Sequence, residues 1–478
     1  MIRIYNKGDI LVSVLVFSAI AITITIGLVN WGSILLKSVR TLADKGQALQ
    51  IAEAGIDYYR WHLAHMPEDF MDGTGQTGPY IHEFKDKDGN LIGTYTLTIT
   101  PPSIGSTVVT IVSKGALNSN PNITRSIKAI LAIPSWAQYA SVANDNMRFG
   151  SGTVIYGPVH SNKGIHFDGI TYGLMSSALT TYVDPDYGAN RWAVYTLTSP
   201  SDPNPPTPLP LKPNIFTAGR KISVPAVDFT GLTANLAQLR TLAQSNGIYL
   251  SQSQYKGKSA LGYHITLKTN DTFDVRVVTA INNPPNSSCW NLLNQNQWST
   301  WSIKTEQSAV NYPIPTNGII FVEDNVWVDG QINTARLTIA AGKLPDPGAS
   351  KWSNIIINND ILYTNHDGND VIGLIAQGDV NIGLSSANSL DIDAALVAQN
   401  GRVGRNYYSY YCGSSYIRSD INLYGMIATN QRYGFAYTDD TGYRDRNISY
   451  DPNLLYSPPP SFPLTSSYYS TLSWQEIN

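Results

Sequence analysis

Residues 10–26 read ILVSVLVFSAIAITITI, and no Asp, Glu, Lys or Arg occurs between residues 10 and 36. About 20 residues of apolar helix span the core of a bilayer, so this stretch is long enough to cross a membrane. The apolar part of a cleaved secretory signal has only about 7–15 residues and is shorter than the stretch found here. The sequence therefore predicts a transmembrane helix over residues 10–36.

A repeating apolar stripe continues beyond the membrane stretch. Its members stand seven residues apart, and the last three are each followed by another apolar residue three positions later. The stripe consists of Leu42, Leu49, Ile56 and Leu63, with Ala52, Tyr59 and Met66 beside it. This spacing places apolar side chains on one face of a helix. We therefore predict one helix over residues 9–66 whose second half packs against another part of the chain.

Two short motifs in this region resemble those of a known family. The first is a basic leader that ends in Lys7-Gly8, directly before the apolar helix. The second consists of Ala52, Glu53, Ala54 and Gly55. With these motifs, residues 1–65 resemble the PilX-like minor pilins of type IV pili.

The resemblance implies a route from the membrane to a filament. A prepilin peptidase would cut between Gly8 and Asp9 and remove a leader of residues 1–8. The apolar helix would hold the protein in the cytoplasmic membrane, and the pilus assembly machinery of that membrane would extract it. The same helix would then pack against other pilins in an extracellular surface filament.

Two positions depart from the family pattern. Major pilins carry glutamate at the fifth mature position, which is Ser13 here, and Phe or Met at the first, which is Asp9 here. A carboxylate is favoured in the first turn of a helix, so Asp9 can partly neutralise the new amino terminus. Certain minor pilins at the filament tip also lack the glutamate. The alternative is an uncut leader that anchors a cell-surface adhesin.

The next part of the chain has the pattern of a small β-meander. Asp-Gly in Asp86-Lys-Asp-Gly-Asn90 separates two apolar runs, which is a strong signal for a hairpin, and the second run alternates strictly. Further alternating runs follow, so the sequence predicts a meander over residues 80–134. A helix packed on such a sheet resembles a pilin head.

Beyond residue 134 a five-residue motif recurs: apolar, any, small, any, apolar. The copies begin at Ile155, Val328, Ile392 and Leu423. Alternation buries the apolar residues on one face, and the small central residue permits a tight bend or close stacking. The copies predict a β-helix-like solenoid over residues 135–478, with a β-sandwich as the alternative. The expected fold class is α+β: a long N-terminal helix, a small meander and a large β-rich domain.

An insertion is expected over residues 199–280. It begins with a proline-rich connector and continues with a predicted helix over residues 232–244 and a hairpin that turns at Asn270-Asp271. We expect it to form a subdomain attached to the solenoid. The Tyr- and Trp-rich segment 468–474 is expected to cap the last rung, because the ends of repeat arrays need a cap.

The composition excludes several classes of protein. Charged residues make up 14% of the 478 residues and the formal net charge is −3, so no nucleic-acid partner is predicted. The low charge with many Gly and Tyr is typical of a secreted β protein. Cys289 and Cys412 are too far apart for a local metal knuckle, and we expect either one long-range disulfide or two separate thiols.

The sequence contains no zinc-protease, serine-hydrolase, Walker or Rossmann motif, so we predict no enzymatic activity, cofactor or metal. The pairs His62 with His65 and His160 with His166 each lack an identifiable third ligand. The enzyme alternative is a carbohydrate-active β-helix that uses acidic residues along a groove. Its candidates are Asp379, Asp391, Asp393, Asp439, Asp440 and Asp445.

A cluster of Tyr and Arg is the candidate for adhesion. It consists of Arg402, Arg405, Tyr407, Tyr408, Tyr410, Tyr411 and Tyr416. These residue types anchor many interfaces, so the cluster is a candidate loop for a surface ligand; the alternative is that it packs over a neighbouring rung. Because a subunit of 52.3 kDa would crowd a lattice of small pilins, we expect a structural minor pilin at or near the tip.

Overall fold

The computed structural model describes residues 7–229, 236–289, 295 and 297–477. It divides into two compact units. The smaller unit consists of Met1–Pro101, Val108–Ala132 and Tyr468–Asn478, and the larger one of Pro102–Thr107 and Ile133–Ser467. The fold class is α+β, as predicted, with a long apolar N-terminal helix, a small antiparallel sheet and a large, mostly parallel sheet.

Helix α1 is continuous from Lys7 to His65. Within its apolar half, the hydroxyls of Thr23, Thr25 and Ser33 donate to the carbonyl oxygen four residues earlier, at 2.8–2.9 Å. These polar atoms are therefore satisfied inside the helix, as a lipid environment requires. The helix ends just before Pro67, because a residue that precedes proline avoids the helical conformation.

The smaller unit contains an antiparallel sheet. Its first strands are β1 (Tyr80–Lys85), β2 (Leu91–Thr100), β3 (Val109–Leu117) and β4 (Thr124–Ala132). Each strand pairs with the next, and the predicted hairpin turns at the Asp-Gly segment between β1 and β2. The side chain of Asp86 accepts the backbone N–H groups of Asp88 and Asn90, which fixes this turn.

The second half of α1 packs on this sheet. The buried apolar side chains of the helix are those of Ala48, Ile51, Ala52, Ile56, Tyr59 and Leu63. The backbones approach closely at Gly115 of β3, where a Cβ atom would lie 2.1 Å from the carbonyl oxygen of Ala48 and 2.6 Å from the nitrogen of Ala52. The later part of the predicted stripe thus packs against the sheet, whereas Leu42, at its beginning, remains 72% exposed.

The C-terminal segment differs from the expectation. Instead of capping the large domain, Ser470–Ile477 forms a fifth strand that pairs antiparallel with β4. Residues 468–478 therefore belong to the smaller unit, and the expected domain boundary at residue 478 is wrong. Strand pairing explains the difference, because the open edge of β4 offers backbone groups that need partners.

The larger unit contains helix α2 (Leu236–Asn246) and many short strands. The strands are β5 (Ser141–Ala143), β6 (Met147–Phe149), β7 (Thr153–Tyr156), β8 (Val159–Ser161), β9 (Ile165–Phe167), β10 (Ile170–Thr171), β11 (Met175–Ser177), β12 (Thr181–Val183), β13 (Asn190–Trp192), β14 (Val194–Tyr195), β15 (Arg220–Lys221), β16 (Ile248–Leu250), β17 (Gln254–Tyr255), β18 (Lys258–Ser259), β19 (Gly262–Lys268), β20 (Thr272–Ile281), β21 (Ile303–Glu306), β22 (Val310–Pro313), β23 (Ile319–Val322), β24 (Val326–Ile332), β25 (Arg336–Ala341), β26 (Ile355–Ile357), β27 (Ile361–Tyr363), β28 (Val371–Ala376), β29 (Val380–Ile382), β30 (Ser389–Ala398), β31 (Val403–Arg405), β32 (Ile417–Thr429) and β33 (Gly442–Tyr450). Short 3₁₀ turns occur at Ala349–Lys351, Tyr410–Cys412, Ser414–Tyr416 and Pro452–Leu455.

Most of these strands stack in parallel ladders. The first ladder has the spatial order β16, β23, β25, β28, β30, β32, β5, β8, β11 and β15. The second runs β19, β24, β26, β29 and β31, and the third β24, β27, β30, β32, β33, β7 and β10. A β-sandwich is built from antiparallel sheets, so that alternative does not fit.

The spatial order of the strands is not their order in the chain. The chain first forms β5, which lies in the middle of the first ladder. It then adds β8, β11 and β15, and β15 is one end of that ladder. The chain resumes at the other end, at β16, and returns until β32 pairs with β5. Three strands of the predicted insertion over residues 199–280, namely β15, β16 and β19, are members of the ladders. The segment is therefore not a separate subdomain, although the predicted β19–β20 hairpin is confirmed.

The recurring motif marks positions where successive rungs approach closely. Its central glycines, Gly157, Gly330 and Gly425, have φ angles of +138°, +106° and +148°. A Cβ on Gly425 would lie 2.0 Å from the carbonyl oxygen of Ala394, the central residue of the motif in the adjacent rung. The small residue is therefore required both by the backbone conformation and by the distance between rungs.

Side-chain amides also connect neighbouring rungs. Asn162 Nδ2 donates to Asn144 Oδ1 at 2.8 Å, and Asn144 Nδ2 donates to Asn430 Oδ1 at 2.9 Å. A second series joins Asn447 to Asn422 and Asn422 to Asp391, at 2.8 Å each. The first series crosses the junction between β5 and β32, so it ties the beginning of the larger unit to its last rungs.

The close contact between α1 and β3 yields a prediction. Gly115→Ala should weaken the packing of α1 on the sheet by about 1–3 kcal/mol, because the new methyl group would meet backbone atoms that cannot rotate away. Hydrogen exchange of the β3 amides measures the change. Gly46→Ala is the matched control, since a Cβ there meets no atom within 4 Å, and equal exchange in the two variants would contradict the packing argument.

Candidate assembly helix and surface sites

The first half of α1 presents apolar side chains that no other part of the chain covers. None of its most apolar window is buried, and Phe17 and Trp31 are 72% and 64% exposed. Among the described residues, α1 is the one helix that is long and apolar enough to cross a membrane. This half is the candidate membrane and assembly surface.

The predicted processing residues lie at the start of this helix. Lys7, Gly8 and Asp9 belong to the first turn of α1, and their side chains lie outside the described part of the structure. Ser13, the predicted assembly position, lies one turn further along and is exposed. The cut after Gly8 and the role of Ser13 remain predictions.

The Ala-Glu-Ala-Gly motif lies where α1 meets the sheet. Ala52 is fully buried, while Glu53 and Ala54 are half-buried. A Cβ on Gly55 would lie 2.3 Å from the hydroxyl of Ser113 and 2.9 Å from the ring of Tyr95. The small residues of the motif therefore permit close packing of helix and sheet.

Cys289 and Cys412 form a disulfide in the structure. It anchors residues 407–416, which we call the tyrosine loop. Two further hydrogen bonds fix the loop: Trp298 Nε1 donates to the carbonyl of Tyr407 at 3.0 Å, and Asn286 Nδ2 donates to that of Tyr411 at 2.7 Å.

The structure separates the predicted adhesive cluster into buried and exposed members. Arg405 and Tyr408 are only 1% exposed, so the expectation that they contact a ligand is wrong. The Arg405 guanidinium donates to the carbonyl oxygens of Gly383, Leu384 and Ser415 at 2.6–3.1 Å, and burial lowers its pKa. This arginine stabilises the loop because it donates to backbone carbonyls that would otherwise be buried without partners.

The remaining members of the cluster differ in exposure. Arg402 donates to the carbonyls of Arg405 and Gly434, and the hydroxyl of Tyr407 donates to Asp439 at 2.7 Å. Tyr410 and Tyr411 are 63% and 46% exposed, and their ring centres are 4.0 Å apart. The loop therefore presents a pair of exposed aromatic rings on a firmly anchored base.

The acidic candidates for a glycosidase do not all meet in one groove: Asp440 and Asp445 line one cavity of about 910 Å³, whereas the other four do not line it. Asp379 accepts the backbone N–H of Arg402, and Asp393 accepts that of Tyr363; burial raises the pKa of both carboxyls. Asp391 accepts from the side chain of Asn422 in the amide series. The others lie in the turn before β33 or on that strand: Asp439, Asp440 and Asp445. The contacts of Asp379 and Asp393 hold the backbone of neighbouring rungs.

The two members of each predicted histidine pair contact different groups. His62 contacts Asp69 at 3.1 Å, whereas His65 contacts the carbonyl of Trp61 in its own helix. His160 bonds Ser176 and Asn162, and His166 lies 2.8 Å from Asp168. In the part of the chain that the structure describes, no three His, Cys, Asp or Glu side chains form a group that could hold a metal.

A polar pocket of about 390 Å³ was not predicted from the sequence. His264 of β19 stands in its wall, with Nδ1 2.8 Å from Glu306 Oε2 of β21 and Nε2 3.0 Å from Asp329 Oδ2 of β24. Burial alone would lower the pKa of His264, but the two carboxylates outweigh it and raise that pKa. Burial acts to raise the pKa of Asp329, but the contact with His264 outweighs burial, so the pKa of Asp329 is lowered. The three residues are far apart in sequence, so no local motif reveals them.

Comparison with known proteins gives little further information. No model of a known protein family matches the chain, and no curated protein matches it. Among solved structures, the crystal structure of the competence-associated pilin ComZ from Thermus thermophilus is similar, with a TM-score of 0.28 and 14% identity. That alignment covers 91% of this chain and 98% of the other. A TM-score this low carries no argument about fold or function.

The His264 contacts predict a pH-dependent contribution to stability. Because its pKa is raised on folding, the stabilisation is complete below the unfolded value of about 6.5 and is lost as the pH rises through the folded value. His264→Gln should therefore cost about 1.5–3 kcal/mol at pH 6 and clearly less at pH 9. Urea unfolding followed by tryptophan fluorescence measures this, since Trp327 lines the same pocket. His65→Gln, at the exposed end of α1, is the control, and a pH-independent loss for His264→Gln would contradict the pairing.

Proposed function

We propose that this protein is a pilin, a structural subunit of a type IV pilus-like filament. One observation carries the proposal: a single continuous helix, α1, leaves its apolar first half uncovered and packs its second half on an antiparallel sheet. A helix of this kind can lie in a membrane and then between the helices of neighbouring subunits, while its other half holds a folded unit outside.

The proposed route begins with removal of residues 1–8 by a prepilin peptidase. Asp9 would become the first residue, where its carboxylate lies close to the new amino terminus. Ser13 would stand where major pilins carry glutamate, so charge pairing at that position would not contribute to assembly. The proposed partners are the peptidase, the inner-membrane assembly machinery and other pilins that contact α1.

We propose that the parallel ladders form a β-helix-like solenoid that lies outside the membrane and has no enzymatic role. The in-register pairing of successive strands supports this architecture. A subunit of 52.3 kDa with so large a β-rich unit would crowd a helical lattice, which favours rare incorporation at or near the filament tip. Immunogold label along the whole shaft would contradict the tip position.

The peptidase step gives the most direct prediction. Expression with an active prepilin peptidase should yield a membrane-extracted protein that lacks residues 1–8 and begins with Asp9, and expression without the peptidase should yield the full chain. Intact-mass measurement distinguishes the two forms.

Gly8→Leu serves as the control for that experiment. It should stay uncut in both strains, because the family resemblance places the cut directly after a glycine. An unprocessed N-terminus in the presence of the peptidase would contradict the pilin proposal and favour a signal-anchored surface adhesin.

An adhesive role is the second proposal, and the exposed pair Tyr410 and Tyr411 supports it. Tyrosine gives large contact area at low entropic cost, and the disulfide and Trp298 hold the loop that presents the pair. The double variant Tyr410→Ser and Tyr411→Ser should reduce attachment of piliated cells at least several-fold, as is usual when interface anchors are removed.

The adhesion experiment needs two readouts. Electron microscopy should show normal filaments, and a cell-attachment assay should show the loss. Tyr468→Ser is the matched control, because Tyr468 is 67% exposed but lies in the smaller unit. Unchanged attachment of the double variant would contradict adhesion through this loop.

A further inference from the structure

The pocket around His264 has polar groups from several levels of the larger unit. Asp329 is the middle residue of β24, Asn358 and Asn359 lie in the turn after β26, and Ser385 lies in the turn after β29. These strands are successive members of the second ladder, and adjacent strands lie about 4.8 Å apart, so residues from three rungs reach one pocket. Lys304 and Glu306 of β21 also line the pocket.

The carboxylates of the pocket are held in place before any ligand arrives. His264 bridges Glu306 and Asp329, Asn359 Nδ2 donates to Asp329 at 3.1 Å, and Arg276 Nε lies 3.4 Å from Glu306 Oε1. A carboxylate has about four acceptor sites, so these contacts leave acceptor sites on both groups. Pre-ordered acceptors lower the entropic cost of binding.

The charges that line the pocket balance each other. Among the lining residues, Glu306 and Asp329 are negative, and Lys304 and protonated His264 are positive. Arg276, which contacts Glu306, does not line the pocket and is also paired with Asp274 at 3.3 Å. Neither a strongly anionic nor a cationic ligand gains from this arrangement. Trp327 is only 2% exposed, and the lining offers amide, hydroxyl and carboxylate groups next to apolar atoms of residues such as Ile303 and Val328.

We propose that this pocket binds a neutral saccharide. Sugar hydroxyls can donate to Glu306 and Asp329 and accept from Lys304 and Asn359, which matches the mixed donors and acceptors of the lining. A volume of about 390 Å³ lies within the usual range for small-ligand sites. The proposal does not depend on filament assembly, because every residue involved belongs to the larger unit.

The test uses the full-length chain in a detergent that has no sugar head group. Maltose, cellobiose and lactose serve as neutral probes, and a glucuronic-acid disaccharide serves as the anionic comparison. Saturation-transfer NMR and calorimetry should show saturable binding of at least one neutral probe and weaker binding of the anionic one.

Two variants test the location of the site. Asp329→Asn removes one charged acceptor and should weaken binding about tenfold or more. Ser385→Trp blocks the rim of the pocket without removing the contacts of His264, and it should abolish binding even if Asp329→Asn fails to fold. Asp271→Asn is the matched control, since Asp271 lies in the β19–β20 turn of the same hairpin but does not line the pocket.

Three results would overturn the proposal. They are the absence of saturable binding by every neutral probe, tighter binding of the anionic disaccharide, and unchanged binding in Ser385→Trp. None of these results bears on peptidase processing, so they test the saccharide proposal independently of the pilin proposal.

Discussion

From Ile10 to Leu36, α1 carries apolar side chains that need an environment other than water. At the middle of a bilayer, each Leu, Ile, Phe or Val favours insertion by about 0.3–0.6 kcal/mol, whereas in water the same surface would drive association. The second half of the same helix has a different requirement. There the small residues Ala48, Ala52 and Gly55 let the helix approach β3 closely enough to share a core with the sheet. The two halves of this one helix thus suit two different environments, a membrane and a protein core. The pilin proposal follows from this difference.

Backbone pairing is the corresponding constraint in the larger unit. Each strand inside a ladder pairs on both edges, and the apolar residues of successive rungs then stack in register, as Ile361, Ile392, Leu423 and Ile448 do. Pairing of β32 with β5 gives the last long strand a partner from the beginning of the unit. The same regularity brings residues that are far apart in sequence to one surface, which is how the His264 pocket arises.

Local patterns in the sequence were sufficient for local structure. The charge-free stretch and the heptad stripe predicted α1, Asp-Gly predicted the β1–β2 hairpin, and the recurring motif predicted tight backbone positions at Gly157, Gly330 and Gly425. Long-range relations were not predictable in this way. The junction between β5 and β32 depends on pairing across almost the whole unit, and the last strand joined the smaller sheet because an edge of β4 was open there. Burial of Arg405 and Tyr408 was missed for the same reason, since their partners come from other rungs.

The division of α1 into a half that lies in the membrane and a half that lies outside it is tested most directly by labelling single cysteines. The two native cysteines are joined in a disulfide, so Thr25→Cys and Gln47→Cys would each add one free thiol. Both positions are exposed on the isolated chain. In spheroplasts treated with a membrane-impermeant maleimide before filament assembly, we expect Gln47→Cys to react and Thr25→Cys to stay protected. Equal labelling at the two positions would contradict the account, because it would mean that the apolar half of α1 is not in the membrane.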